Sequence, residues 1–160
     1  MDILNDFNQK ATCFIVANNI EKTNDWDEKL NKSFNLKLMN SSHINEWINN
    51  DFEIGSHSLD HLDLTILNKE EKENQIIKSK EMLSKKFKYN VQSFSYPYGK
   101  YDHDCINILK NYYNFAVTTN KSLFNKEKHD LFEMPRVSIG RKTSMFKFFL
   151  KTLTIYENLK

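Results

Sequence analysis

The residues best suited to chemistry are two histidines four apart, in the run Glu53-Ile54-Gly55-Ser56-His57-Ser58-Leu59-Asp60-His61. Neutral imidazoles ligate divalent transition metals, and side chains at i and i+4 can reach one ion from the same side of a helical turn. Phe52-Glu53-Ile54 reads as the end of a short strand, with Gly55 permitting a sharp exit from it. Strand end, small residues, then two ligands is how many α/β barrels and open sheets build a site. The same spacing also suits two solvent-facing loop histidines, so the surrounding elements have to decide.

Those elements alternate. Asp2–Gln9 places Ile3, Leu4 and Phe7 on one helical face, and Ala11–Ala17 is an apolar run of the kind that forms a strand buried on both sides. Asn18–Asn40 is polar and irregular, with Trp26 expected to anchor it to the body. Ser41 or Ser42 can cap a helix to about Asn50 that turns Ile44, Trp47 and Ile48 inward. A long helix is predicted from Lys69 to Phe87, with Ile76, Met82, Leu83 and Phe87 on or near its inner stripe. Ser93–Tyr96 is a strand stopped by Pro97, Asp102–Tyr112 a helix, and Phe115–Thr119 a strand. Met134–Ile139 is the fifth and last predicted strand, and Ser144–Leu159 a closing helix. The expectation is an α/β fold with mainly parallel strands.

The chain holds only three glycines and two prolines, and all five fall at strand ends: Gly55, Pro97 and Gly99, Pro135 and Gly140. Ligands bind at the carboxyl ends of strands in such folds, so these positions outline one rim. At 160 residues, 39% hydrophobic and 13% aromatic, the chain can bury a core. A formal charge of +2, from 23 basic and 21 acidic residues well interspersed, gives no reason to expect a nucleic-acid partner. Cys13 and Cys105 do not make a disulfide framework; Cys13 reads as a core thiol, and a bridge stays open. No apolar run approaches the length of a membrane span, and Met1–Asp6 lacks the basic-then-apolar pattern of an export signal.

Taken in order, Ala11–Val16, the histidine run Glu53–His61 and Phe94-Ser95-Tyr96-Pro97-Tyr98-Gly99 resemble successive landmarks of the polysaccharide deacetylases, the NodB-homology domain of carbohydrate esterase family 4. Phe115–Thr119 and Met134–Ser138 sit where that family has later strands, so the resemblance spans about residues 2–158. It implies a distorted or incomplete (β/α) barrel and the metal-dependent removal of acetyl groups from an acetylated polysaccharide or oligosaccharide. It implies that His57 and His61 ligate a divalent metal, most often zinc. Tyr98 would offer a backbone N–H to the oxyanion, and Tyr96, Pro97, Tyr98 and Gly99 would form substrate-binding surface. Family members are often in the cell envelope or secreted. Both histidines must be neutral to ligate, so metal binding is expected to weaken at acid pH.

The sequence departs from the family pattern in places that bear on activity. The family's first strand carries paired aspartates, the base and the third metal ligand, yet no two aspartates are adjacent here. Asp2 and Asp6 read as surface residues of the first helix. The expectation is a single deacetylase-like domain over 1–160, truncated at its N-terminus by one strand, which leaves Ala11–Ala17 with an open edge. Ser95 stands where the family often has arginine. No counterpart of the histidine acid is evident: His43, His103 and His129 read as surface residues, and Asp60 and Asp63 as turn or cap residues. An inactive relative that binds glycan or metal is therefore the competing expectation.

Overall fold

A computed structural model of the chain describes residues 1–26, 36–154 and 156. Four parallel strands form one sheet in the spatial order β1 (Thr12–Ile15), β2 (Glu53–Ser56), β3 (Ser93–Ser95), β4 (Phe115–Val117). The helices are α1 (Asp2–Asp6), α2 (Ser41–Asn49), α3 (Lys69–Glu73), α4 (Ser79–Phe87), α5 (His103–Tyr112) and α6 (Met145–Leu153). Each parallel pairing is bridged by a helical crossover, which such a sheet requires.

Register fixes what the strands present. Cys13 lies opposite Ile54 and Ile15 opposite Ser56; Ser56 pairs with Phe94, and Ser95 with Val117. The core gathers Ile44, Ile54, Leu64, Ile76, Leu83, Val91, Phe94, Leu109 and Ala116 between sheet and helices. Burial of these side chains is the main stabilising contribution, about 1.5–3 kcal/mol for each large one. Small polar residues join the interior only with partners. Ser56 Oγ lies 2.7 Å from Ser79 Oγ, Ser79 donates to the Ile76 carbonyl, and the Tyr113 hydroxyl donates to the same carbonyl. At the other end of the sheet Glu53 accepts from Thr12 and Ser93, tying three strands together.

Several expectations change on contact with the structure. Gly55 is not an exit but a strand residue: a Cβ there would come within 2.5 Å of the Phe14 ring and 2.6 Å of Ser93 Oγ. Close packing, not a turn, explains it. β1 is shorter than expected and only Ile15 of its four residues is fully buried, because no described strand pairs with its outer edge; Cys13 is accordingly half-buried. The cap of α2 is Asn40, whose side chain accepts from the His43 N–H, rather than Ser41 or Ser42.

The predicted long helix exists but carries a π-helical segment, Asn74–Lys78, between α3 and α4. The wider turn shifts the inner face, so Gln75 and Ser79 are buried with Ile76 and Leu83 while Met82 is exposed. The fifth strand reduces to one parallel bridge, Val117 with Met134. Pro135 has no N–H to continue the ladder, and the Arg136 N–H turns aside to the Asn120 carbonyl. α6 starts at its Ser144 cap as expected but buries none of its residues, and α1 with its C-cap likewise leaves Ile3 and Phe7 exposed. Residues 27–35 of the irregular loop and the end of the predicted last helix fall outside the described residues. Within them, no helix is long and apolar enough to cross a membrane.

Candidate metal and glycan site

β2 ends at Ser56, and the chain enters a loop that follows β1 for several residues more. The His57 N–H donates to the Ile15 carbonyl, and the Ala17 and Asn18 N–H groups donate to the Ser58 and Leu59 carbonyls. This loop is not the helical turn that the i, i+4 spacing suggests. Ser58 (φ 66°) and His61 (φ 56°) both take the left-handed conformation, uncommon without glycine and found mostly where surrounding contacts impose it. The contacts are present: Ser58 Oγ accepts from the His61 N–H at 3.0 Å. Asp60 accepts from Asn18 and Gln75, each at 2.7 Å, and its own N–H donates to Gln75 Oε1. Gln75 lies in the π-helical segment, so that irregularity reaches the loop that bends the histidines together.

The outcome is two adjacent imidazoles, ring centroids 4.7 Å apart and planes at 77°. His57 Nδ1 lies 2.6 Å from the carbonyl oxygen of Ser95, the last residue of β3. A carbonyl can only accept, so Nδ1 carries the proton and Nε2 keeps its lone pair, the arrangement of an oriented metal ligand. Burial lowers the His57 pKa below the usual histidine value; the Ser95 bond acts against this and the charge of Arg136 with it. His57 therefore stays neutral further into the acid range than a free imidazole.

His61 is buried and enclosed by rings. Trp26 stacks on it at 4.5 Å and 25°, and Tyr98 meets it edge-on at 4.6 Å. Trp26 thus anchors its loop, as expected, but on a candidate ligand. Among the described residues no group of three or more histidine, cysteine, aspartate or glutamate side chains is arranged to hold a metal. The pair fits a divalent ion by donor chemistry and supplies two of the three or four ligands such an ion takes from a protein.

Across from the histidines, Pro97–Gly99 makes a 3-10 turn after β3, with Tyr98 at φ 58° and Gly99 at φ +69°. The Gly99 N–H closes the turn on the Tyr96 carbonyl, and a Cβ on Gly99 would collide with the Thr119 side chain. Tyr98 is exposed beside His61, in keeping with a surface that meets a ligand. Tyr96 is not: it is 1% exposed, donates to the Phe132 carbonyl and stacks on Tyr101. It is a core residue, and burial pushes its hydroxyl pKa far above the ordinary value. Pro97 is buried too, so its part is to end the strand and set the turn.

Other sequence candidates stay apart from the site. His43 and His103 are exposed in the first turns of α2 and α5, and His129 accepts from the Asn125 N–H in a surface turn. Asp63 caps a short 3-10 turn and pairs with Lys100 at 2.5 Å. Arg136, by contrast, was visible in the sequence only as one of two arginines. Its Nε donates to the Thr118 carbonyl at 2.6 Å, just past β4, close enough for its charge to be felt at His57. Spacing gives no warning of this, because 79 positions separate the two residues.

Residues 1–115 match the sequence profile of the polysaccharide deacetylases. YxkH of Bacillus subtilis strain 168, named as a polysaccharide deacetylase, is 23% identical over 154 residues, covering 94% of this chain and 50% of its own. A Bacillus cereus peptidoglycan-N-acetylglucosamine deacetylase is 29% identical over 120 residues, covering 75% of this chain and 35% of its own. The chain thus spans half or less of the length of these relatives. In structure it is similar to the Streptococcus pyogenes deacetylase PplD, solved in complex with acetate, with a TM-score of 0.75 and 21% identity over 94% of this chain and 62% of that one. The likeness shows the fold, the distorted (β/α) barrel type, here with four parallel strands described. With the profile match covering most of its length, the chain belongs to the polysaccharide deacetylase family.

Proposed function

We propose that this chain carries the metal-binding half of a hydrolase that removes acetyl groups from an N-acetylated glycan. The observation that carries the reading is the meeting of His57 and His61 at the carboxyl end of β2, with the Ser95 carbonyl fixing the His57 tautomer. The name of the Bacillus cereus relative favours an N-acetylglucosamine polymer as substrate. His57 and His61 would hold a divalent ion, and imidazole donors favour zinc. Such an ion, when bound, polarises a carbonyl and lowers the pKa of a water. The chain's own contribution is to keep His57 neutral and both imidazoles aimed. It also presents the Tyr98 backbone N–H, in its left-handed turn, as the donor for a developing oxyanion. The Pro97–Gly99 turn supplies the wall against which the sugar rests.

One observation favours a second reading, a non-catalytic relative that binds glycan. Among the described residues no third metal-ligating side chain joins the histidine pair in a group that could hold an ion. Zinc affinity well below that of three-ligand sites is expected on either reading, and His57→Ala should remove most of it; calorimetric titration reads this directly. Release of acetate from a chitin-type oligomer by the zinc-loaded chain separates the two. Turnover supports the hydrolase. A folded, zinc-loaded sample that binds the oligomer without releasing acetate supports the binding module.

A further inference from the structure

The rim that holds His57 continues along the sheet into a second feature. Ser95, which orients His57, is paired with Val117; β4 then runs into Thr118, whose carbonyl holds Arg136. Beyond it opens a groove of about 360 Å³ lined by Thr119, Lys121, Arg136, Val137, Ser138 and Ile139. The volume is that of a small-ligand site. Its wall is shared with the turn beside the histidines, because Gly99 packs directly against the Thr119 side chain.

The charge of this groove is one-sided. It contains a lysine and an arginine and no acidic side chain. Elsewhere Lys72, Lys78, Lys100 and Lys110 each lie within ion-pair distance of a carboxylate, whereas among the described residues neither Lys121 nor Arg136 does. Arg136 is also fixed in place: its backbone N–H donates to the Asn120 carbonyl and its Nε to the Thr118 carbonyl. An anchored guanidinium offers its terminal nitrogens in a fixed plane, the geometry that suits a carboxylate.

We propose that this groove is a subsite for an acidic sugar, holding the carboxylate of a glycan unit near the N-acetylated unit at the histidines. The proposal rests on the glycan reading above and narrows it to polymers that carry carboxylates. Lys121 sets the preference through charge, and Arg136 positions the carboxylate.

The test uses the full chain and two N-acetylated oligosaccharides of equal length, one neutral and one bearing carboxylates on alternate sugars, titrated by calorimetry. The acidic oligomer should bind about three- to tenfold more tightly, as expected for charge-assisted contacts partly screened by solvent. Lys121→Gln should erase most of that ratio, and Lys121→Arg should keep it. Equal affinities for the two oligomers, or a ratio untouched by Lys121→Gln, would overturn the subsite. Inorganic phosphate displacing the acidic oligomer at low millimolar concentration would reassign the groove to phosphate and overturn it too. Acetate release, followed on the same samples, keeps the two claims apart. Turnover without charge discrimination removes the subsite alone, and discrimination without turnover removes the hydrolase alone. Failure to bind either oligomer removes both.

Discussion

The centre of the sheet and its margins obey different rules. Along β3 every residue is buried, and even Ser93 and Ser95 are accommodated because Glu53, the ladder or the His57 ring supplies a partner. Along β1 the first three residues stay partly exposed, and on α1, its C-cap and α6 large apolar side chains such as Ile3, Phe7, Phe146 and Leu153 face outward. The histidine pair sits at the junction. His57 is oriented from the packed side, by β3, and continues the ladder of the open side, through the Ile15 carbonyl. The aim of the site is therefore set by the interior, while anything that completes it must come from, or across, the margin.

The largest test of this contrast truncates one phenylalanine in each region. Phe94→Ala empties a fully buried position in β3 and should cost about 3–5 kcal/mol. Phe14→Ala, on the partly exposed β1, should cost less than half as much. Urea unfolding followed by circular dichroism gives both numbers. Equal losses would mean that β1 is as enclosed as β3.

Glycine substitutions sharpen the comparison at about 1–3 kcal/mol. Gly99→Ala meets two obstacles, a positive φ and the Thr119 side chain, and should also disturb the turn beside His61. Gly55→Ala pushes a methyl group into the Phe14 ring and Ser93. Gly140→Ala, with nothing within 4 Å, should change the unfolding midpoint little.

Acid titration probes how the interior holds charge, and its effect should be smaller. Burial pushes the Asp102 carboxyl up, but the hydrogen bonds from Lys72, at 2.5 Å, and from the Cys105 N–H outweigh it and hold the group below the ordinary value. A carboxyl whose pKa is depressed by folding adds stability above its unfolded pKa of about 3.9, and that contribution fades as pH falls through the folded value. Urea midpoints measured from pH 5 down to pH 2.5 should therefore fall, and fall less steeply in Lys72→Met. An unchanged slope in that variant would show that the Lys72–Asp102 pair does not report on folding.

Much of this architecture was legible in the sequence because its signals are local. Apolar runs marked β1–β4, caps and periodicity marked the helices, and the order of three short motifs pointed to the family. The site was legible in its residue types but not in its geometry. The i, i+4 spacing of His57 and His61 suggested a helix, whereas two left-handed residues and the Asp60–Gln75 contacts bring the rings together. Gly55 and Tyr96 misled for one reason: residue type announces a turn or a binding surface, but only packing shows whether solvent reaches it. Arg136 and Trp26 were missed as site residues because contacts that close across the fold leave no trace in spacing.

The smallest expected effect concerns α6. Its residues Met145, Phe146, Phe149 and Leu153 are each at least half exposed, and none of the helix is buried. Replacing an exposed side chain removes almost no apolar surface from a folded interior, so Phe146→Ser and Leu153→Ser should each shift stability by no more than about 0.5 kcal/mol. The helix is held instead at its start, where Ser144 Oγ accepts from the Lys147 N–H, and along its flank, where Lys151 donates to the Ser138 carbonyl. Ser144→Ala should accordingly destabilise more than either apolar replacement, by about 1 kcal/mol. If Phe146→Ser instead costs as much as a core truncation, α6 is covered in solution, and the margin of this fold is an interior face.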